Sequence, residues 1–248
     1  TLLASSAASD VYKRQLFIGE VMKDYCLDLH KLFNSMKRLS IKDIDEIKIN
    51  NGIYIFFENG EKYHGYDRIV RVGTDTGQNN LKSRLIQHYL TKNKDRSIFR
   101  KNIGRAMLNR DGNPLLLDYW NKDLTKRASK EKFRNEQYEE ECKQLESTIS
   151  DFLDKNMTFV VFPLETKEER LRLEEAIISS LFHCEDFKAS DKWLGNFMPE
   201  LRNNNVKKSG MWLSQGLKAT PLTDEEFKKL KEICEAENED SIDSMHKE

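Results

Sequence analysis

The chain has 248 residues, of which 38% are apolar and 33% charged, with a formal net charge of -1 and four cysteines. That length allows one substantial domain or a domain with appendages, and the apolar share allows a modest core under strongly amphipathic helices. No apolar run approaches the length of a membrane span. The charge is uneven: residues 84–134 hold 14 Lys/Arg against 5 Asp/Glu, and residues 224–248 hold 10 acids against 4 lysines. A polyanion binder shows this asymmetry, and so does an ordinary solvated surface. Cys26, Cys142, Cys184 and Cys234 form no CxxC pair, so neither a disulfide scaffold nor a zinc site is signalled and a reducing, cytoplasmic setting is expected.

The first fifteen residues, TLLASSAASDVYKRQ, resemble a translated library adapter and are expected to be a non-native leader. From 16 to 36, Ile18, Met22, Tyr25, Leu29, Leu32 and Met36 fall at spacings of 4, 3, 4, 3 and 4, one stripe of an amphipathic helix. Residues 53–57 and 68–73 read as two antiparallel strands with the turn at Asn59-Gly60. Helical periodicity follows at 81–90 and 97–108, with Asn79 or Asn80 and Asp95 or Ser97 as caps, and NRDGNPLL reads as a loop. Between 131 and 154 a charged helix carries the narrow seam Tyr138, Cys142, Leu145, Ile149 and Phe152. The N-terminal helix offers a matching seam for it, and a projecting dimerisation arm is the other use. MTFVVFPL (157–164) reads as a buried central strand followed directly by a helix over 167–183. Thr223 and Glu226 form a capping box for the last helix, and the acidic tail after about residue 236 is expected to fray.

These elements predict an α/β fold: a small central mixed β-sheet, made of an antiparallel hairpin plus a further strand, flanked by helices. An N-terminal helix and a long helical insertion elaborate it.

Two features stand out chemically. On a wheel at 100° per residue, Glu174 falls among Leu171, Ile177, Ile178 and Leu181, inside the apolar stripe. A buried carboxylate there needs a cation, a donor network or a metal; Glu175 lies nearer the wet edge. Arg84 and His88 are four residues apart and share a helix face, joining a fork of donors suited to phosphate with a group that moves protons near neutral pH. Alone, such a pair is also ordinary surface.

Read together, these pieces resemble the GIY-YIG endonuclease family. GIY stands at Gly52, Ile53 and Tyr54, and RVG at Arg71, Val72 and Gly73 resembles the second half-motif, with Arg71 where the family most often has tyrosine. LKSRLIQHY resembles the arginine helix, aligning Arg84 with the catalytic arginine and His88 with a histidine of restriction-type members. RLEEAIISSL resembles the metal-binding helix in a register that selects Glu174, and WLGN offers Asn196 for a late asparagine. The resemblance implies a Mg²⁺-dependent (or Mn²⁺-dependent) DNA endonuclease, possible as a homodimer and with no membrane association. In it Tyr54 would be the general base with Arg71 as its cationic neighbour, Arg84 would stabilise the transition state, His88 would assist and Glu174 would be the metal ligand. A free phenol titrates near pH ~10, so a tyrosine used as a base calls for nearby cations. The expected organisation is a helical extension at 16–50, a nuclease-like domain at 51–196 with an insertion at about 110–156, and a C-terminal extension at 197–248. Arg96, Arg100, Lys101 and Arg105 suggest a phosphate-backbone track. Trp193 and Trp212 suit either buried packing or insertion into DNA. Arg71 keeps a second reading open, a nucleic-acid-binding module of the same fold without turnover.

Overall fold

A computed structural model of the chain describes residues 24–200, 205–213 and 215–245. The adapter-like leader, Ile18 and Met22 lie outside the described residues. Strand β1 (Gly52–Tyr63) and strand β2 (Tyr66–Thr74) form the expected hairpin. Its turn lies at His64-Gly65, where both residues have positive φ (47° and 87°) and Tyr63 pairs with Tyr66. Two consecutive positive φ values reverse the chain with the twist a two-residue hairpin needs. Asn59-Gly60 is not the turn: Gly60 has φ 88° and sits in a register shift inside β1, so both strands run longer than predicted.

Strand β3 (Met157–Pro163) pairs with the other side of β1, giving the order β2-β1-β3. Its pairing is antiparallel too, which corrects the expected mixed sheet to an antiparallel one within the same fold class. Gly52 allows the two strands to close, since a Cβ there would lie 2.2 Å from the carbonyl oxygen of Phe162.

Alternation along β1 divides the molecule into two cores. Ile53, Ile55 and Phe57 face helix α1 (Cys26–Asn34), the helix that follows β3 (α7, Lys167–His183) and the last helix (α9, Asp224–Met245). Tyr54 and Phe56 face the opposite way, into a core built from α2 (Leu81–Tyr89), α3 (Ile98–Arg110), α4 (Pro114–Asn121) and α6 (Glu136–Asn156). A short helix, α5 (Arg127–Lys132), precedes α6, and α8 (Val206–Ser209) precedes α9. Three sequence expectations change. The seams of α1 and α6 lie in different cores, so they do not pair; Ile149 and Leu153 of α6 pack with Ile103 and Trp120. NRDGNPLL contains a helix start, with Pro114 in the first turn and the Asn113 side chain capping the Leu116 N–H. The last helix continues to Met245, past the expected fraying point. Thr223 and Glu226 do form the capping box. Among the described residues no helix is long and apolar enough to cross a membrane.

The insertion is fastened through Arg100, which is fully buried. Its guanidinium donates to the Glu146 carboxylate on α6 at 2.8 Å and to the last carbonyls of α2, at His88 and Tyr89, at 3.1 and 3.0 Å. Truncating one partner of such a pair leaves the other charge buried and uncompensated. Arg100→Ala is therefore expected to cost about 3–5 kcal/mol in urea denaturation, and a loss below about 1 kcal/mol would contradict this role.

Candidate active site

Tyr54 and Gly73 are partners in the β1–β2 ladder, and the phenol lies flat over the glycine. A Cβ on Gly73 would fall 2.3 Å from Tyr54 Oη, so the glycine of RVG is what lets the ring occupy this place. Next along β2, Arg71 pairs with Phe56, while Phe57 pairs with Ile69. Val70 is thus the extra residue of a bulge, and such bulges re-aim side chains beside functional sites. Arg71 ends up buried on the Tyr54 side. Its Nη1 donates to the Trp212 carbonyl at 2.5 Å, its guanidinium stands 5.0 Å from the Phe99 ring centre, and its Nε has no partner among the described residues.

Tyr54 Oη is 2.8 Å from Nε2 of His88, and Nδ1 of His88 is 2.8 Å from Oγ of Ser97. Burial, and then the positive charges of Arg71, Arg84 and Arg100, hold His88 well below the usual imidazole range. The ring is neutral at pH 7 and has one N–H to give. Ser97 caps α3, its Oγ accepting from the Arg100 N–H. Tyr54, His88 and Ser97 bring three hydrogens to two hydrogen bonds, so one is spare at one end of the chain. If the spare lies on Tyr54, Ser97 donates to Nδ1 and Nε2–H donates to Tyr54 Oη. Loss of the tyrosine proton then leaves every group of the chain satisfied. The geometry holds the Tyr54 oxygen with a donor relay behind it.

Arg84 is half-buried on α2, with Nη1 donating to Gln87 at 3.0 Å and to the Arg96 carbonyl at 3.1 Å. Those contacts fix the guanidinium while its remaining nitrogens have no protein partner among the described residues. Glu174 lies at the margin of the other core, on α7, beside the Thr74 end of the edge strand β2. Burial pushes its carboxyl up to about 7; repulsion from Glu175 adds to this, while Arg71, the Thr74 backbone N–H and Arg84 oppose it. Among the described residues it has no ion pair within 4 Å, so a glutamate tied directly to a core cation is not what they form. A desolvated, unpaired carboxylate beside two arginines fits a hard divalent cation, which would favour its ionised form.

Other predicted residues lie elsewhere. The Asn196 side-chain amide donates to the carbonyls of Ser190 and Asp191 at 2.8 and 3.2 Å, and no hydrogen bond joins it to Tyr54, His88, Arg84 or Glu174. Of the expected phosphate track, Arg100 is corrected outright, because its charge is spent inside the fold. Lys101 is paired with Asp95 at 3.0 Å, and Arg105 donates to Asn121 and Asn102 at 2.6 and 2.8 Å. Arg96 alone of the four is exposed. Trp193 and Trp212 are buried, both indole N–H groups donating to one oxygen of Glu58, at 2.9 and 2.8 Å.

Three supporting residues were not anticipated in these roles. Ser97 was visible only as a cap. Glu58 had its signal in the period-2 pattern of Tyr54, Phe56 and Glu58; it anchors Trp212, whose carbonyl holds Arg71. Arg170, one turn before Glu174, donates to the carbonyls of Leu164, Glu165, Asp75 and Gly77, pinning the start of α7 to the loop after β2.

A family model described as the GIY-YIG domain matches residues 22–239. No curated protein and no solved structure matches the chain. With most of its length covered by that match, and with Tyr54 and Gly73 meeting across the hairpin that names the motif, the chain belongs to the GIY-YIG domain family, whose members are generally nucleases.

Proposed function

We propose that the protein is a Mg²⁺-dependent DNA endonuclease of restriction type, with Tyr54 as general base. The observation that supports this best is the Tyr54–His88–Ser97 chain, a phenol held over Gly73 with neutral donors behind it and Arg71 and Arg84 nearby. Hydrolysis of a phosphodiester needs a water deprotonated, charge at phosphorus stabilised and the leaving oxyanion neutralised. In this reading the Tyr54 oxygen, as phenolate, takes the proton of the attacking water. His88 holds that oxygen in place and Ser97 orients His88. Arg84 stabilises the nonbridging oxygens with its unpartnered nitrogens, where donors aimed at developing charge contribute most. Glu174 would hold the Mg²⁺, a hard cation suited to its carboxylate oxygen. When bound, the cation would supply Lewis-acid stabilisation of the phosphate, and the leaving oxyanion takes its proton from solvent water. Two such sites are needed to cut both strands at once, which a homodimer would provide.

Supercoiled plasmid is expected to be cut in Mg²⁺ and left intact in EDTA, with discrete fragments if the enzyme is of restriction type. Arg84→Ala should slow turnover by about 10²–10³-fold while DNA affinity at fixed salt changes only a few-fold. Equal losses in turnover and affinity would contradict the role given to Arg84.

A further inference from the structure

The fold brings together two cysteines that the sequence keeps far apart. Cys26 is the first residue of α1, and Cys184 follows the last residue of α7. Their sulfurs and a carboxylate oxygen of Asp24 all lie within 4.8 Å of one another. We propose that Asp24, Cys26 and Cys184 form a zinc site that clasps the start of α1 to the end of α7, apart from the nuclease centre.

The chemistry of the donors favours this ion. Two thiolates with one carboxylate suit Zn²⁺, whereas Mg²⁺ takes oxygen donors. A tetrahedral zinc with Zn–S bonds of about 2.3 Å places two sulfurs roughly 3.8 Å apart, so the cluster needs only a small contraction to close. The groups around it are arranged to support bound metal. The Cys26 N–H donates to Asp24 Oδ1 at 2.8 Å, fixing that carboxylate across the helix start and leaving its second oxygen free to ligate. In the metal-free fold the neighbouring Cys184 thiol and burial push the Cys26 thiol up, so zinc has to displace its proton. Tyr63 Oη, 3.3 Å from Cys184 Sγ, donates to Asp186 Oδ1 at 2.8 Å, and the Cys184 thiol donates to that same oxygen at 2.9 Å, so the metal takes the place of the thiol proton. Both sulfurs are buried while Asp24 is exposed, so the carboxylate side is the route of access and water completes the coordination. A disulfide is the other fate of two neighbouring thiols, but it gives no part to the carboxylate.

The full chain, loaded with Zn²⁺ under reducing conditions and desalted, is expected to retain about one zinc per chain by elemental analysis, as one three-residue site with an open position implies. Its Co²⁺ form should show a thiolate-to-cobalt charge-transfer band. Cys184→Ser and Asp24→Asn should each weaken zinc binding by on the order of 10-fold or more, while Cys142→Ser and Glu174→Gln leave it unchanged. Asp24 is exposed, so its variant keeps the test valid even if Cys184→Ser misfolds. Zinc binding that is absent, or undiminished in either ligand variant, would overturn the proposal, as would a Cys26–Cys184 disulfide forming in place of metal uptake. Because the readout is bound metal, failure here is distinguishable from failure of the nuclease assignment.

Discussion

Glu174→Gln is expected to abolish DNA cleavage and, in the same protein, to raise stability at pH 8. The Glu174 carboxyl titrates at about 7 in the fold against an ordinary value of 4.5, chiefly because it is buried. The folded chain therefore holds this proton more tightly than the unfolded chain does. Between pH 4.5 and 7 the folded state binds more protons, so stability falls as pH rises through that window and is flat above it. At about 1.4 kcal/mol per pKa unit, the cost of the ionised carboxylate reaches roughly 3 kcal/mol at pH 8. Gln keeps the shape without the charge, so its advantage should vanish below about pH 4.5. Mg²⁺ should narrow the gap by stabilising only the Glu form. Urea denaturation at both pH values, with and without Mg²⁺, checks this. A Gln variant no more stable at pH 8 would show that the carboxylate is not desolvated as described, and retained cleavage would remove Glu174 from the reaction.

The second large effect concerns the place of the phenol. Tyr54→Phe removes one oxygen and leaves the ring packed against Phe56, so the fold should persist while cleavage falls by about 10²–10⁴-fold, the usual contribution of a positioned general base. Gly73→Ala leaves the oxygen present and takes away its position, because the new Cβ would stand 2.3 Å from Oη. Cleavage should fall comparably, with a further stability cost of about 1–3 kcal/mol from overpacking. Single-turnover cleavage and thermal unfolding on the two variants separate these effects. Near wild-type cleavage by either variant would mean that Tyr54 is not the base.

Much of the fold was legible because it depends on spacings that the backbone imposes. The density of Ile and aromatics over residues 53–57 predicted a strand, the interval between Arg84 and His88 predicted a shared helix face, and Thr223 with Glu226 predicted a helix start. The wheel placed Glu174 at the apolar stripe, and the structure finds it half-buried there. Each inference needs only neighbours within a turn or two of chain.

What only the tertiary structure decided is which surface covers which. A hydrophobic seam does not name its partner, and so the expected pairing of α1 with α6 gave way to opposite faces of the sheet. Charge does not reveal burial either. Arg100 reads like its basic neighbours until α6 brings Glu146 over it, and then its charge fastens the insertion and is withdrawn from any phosphate track. Ser97 behind His88, Trp212 holding Arg71, and Cys26 beside Cys184 are likewise contacts between elements distant in sequence. The sequence by itself determined the helices, the strands and their wet and dry faces, through short-range periodicity; long-range packing decided which polar groups were left paired, buried or poised for chemistry.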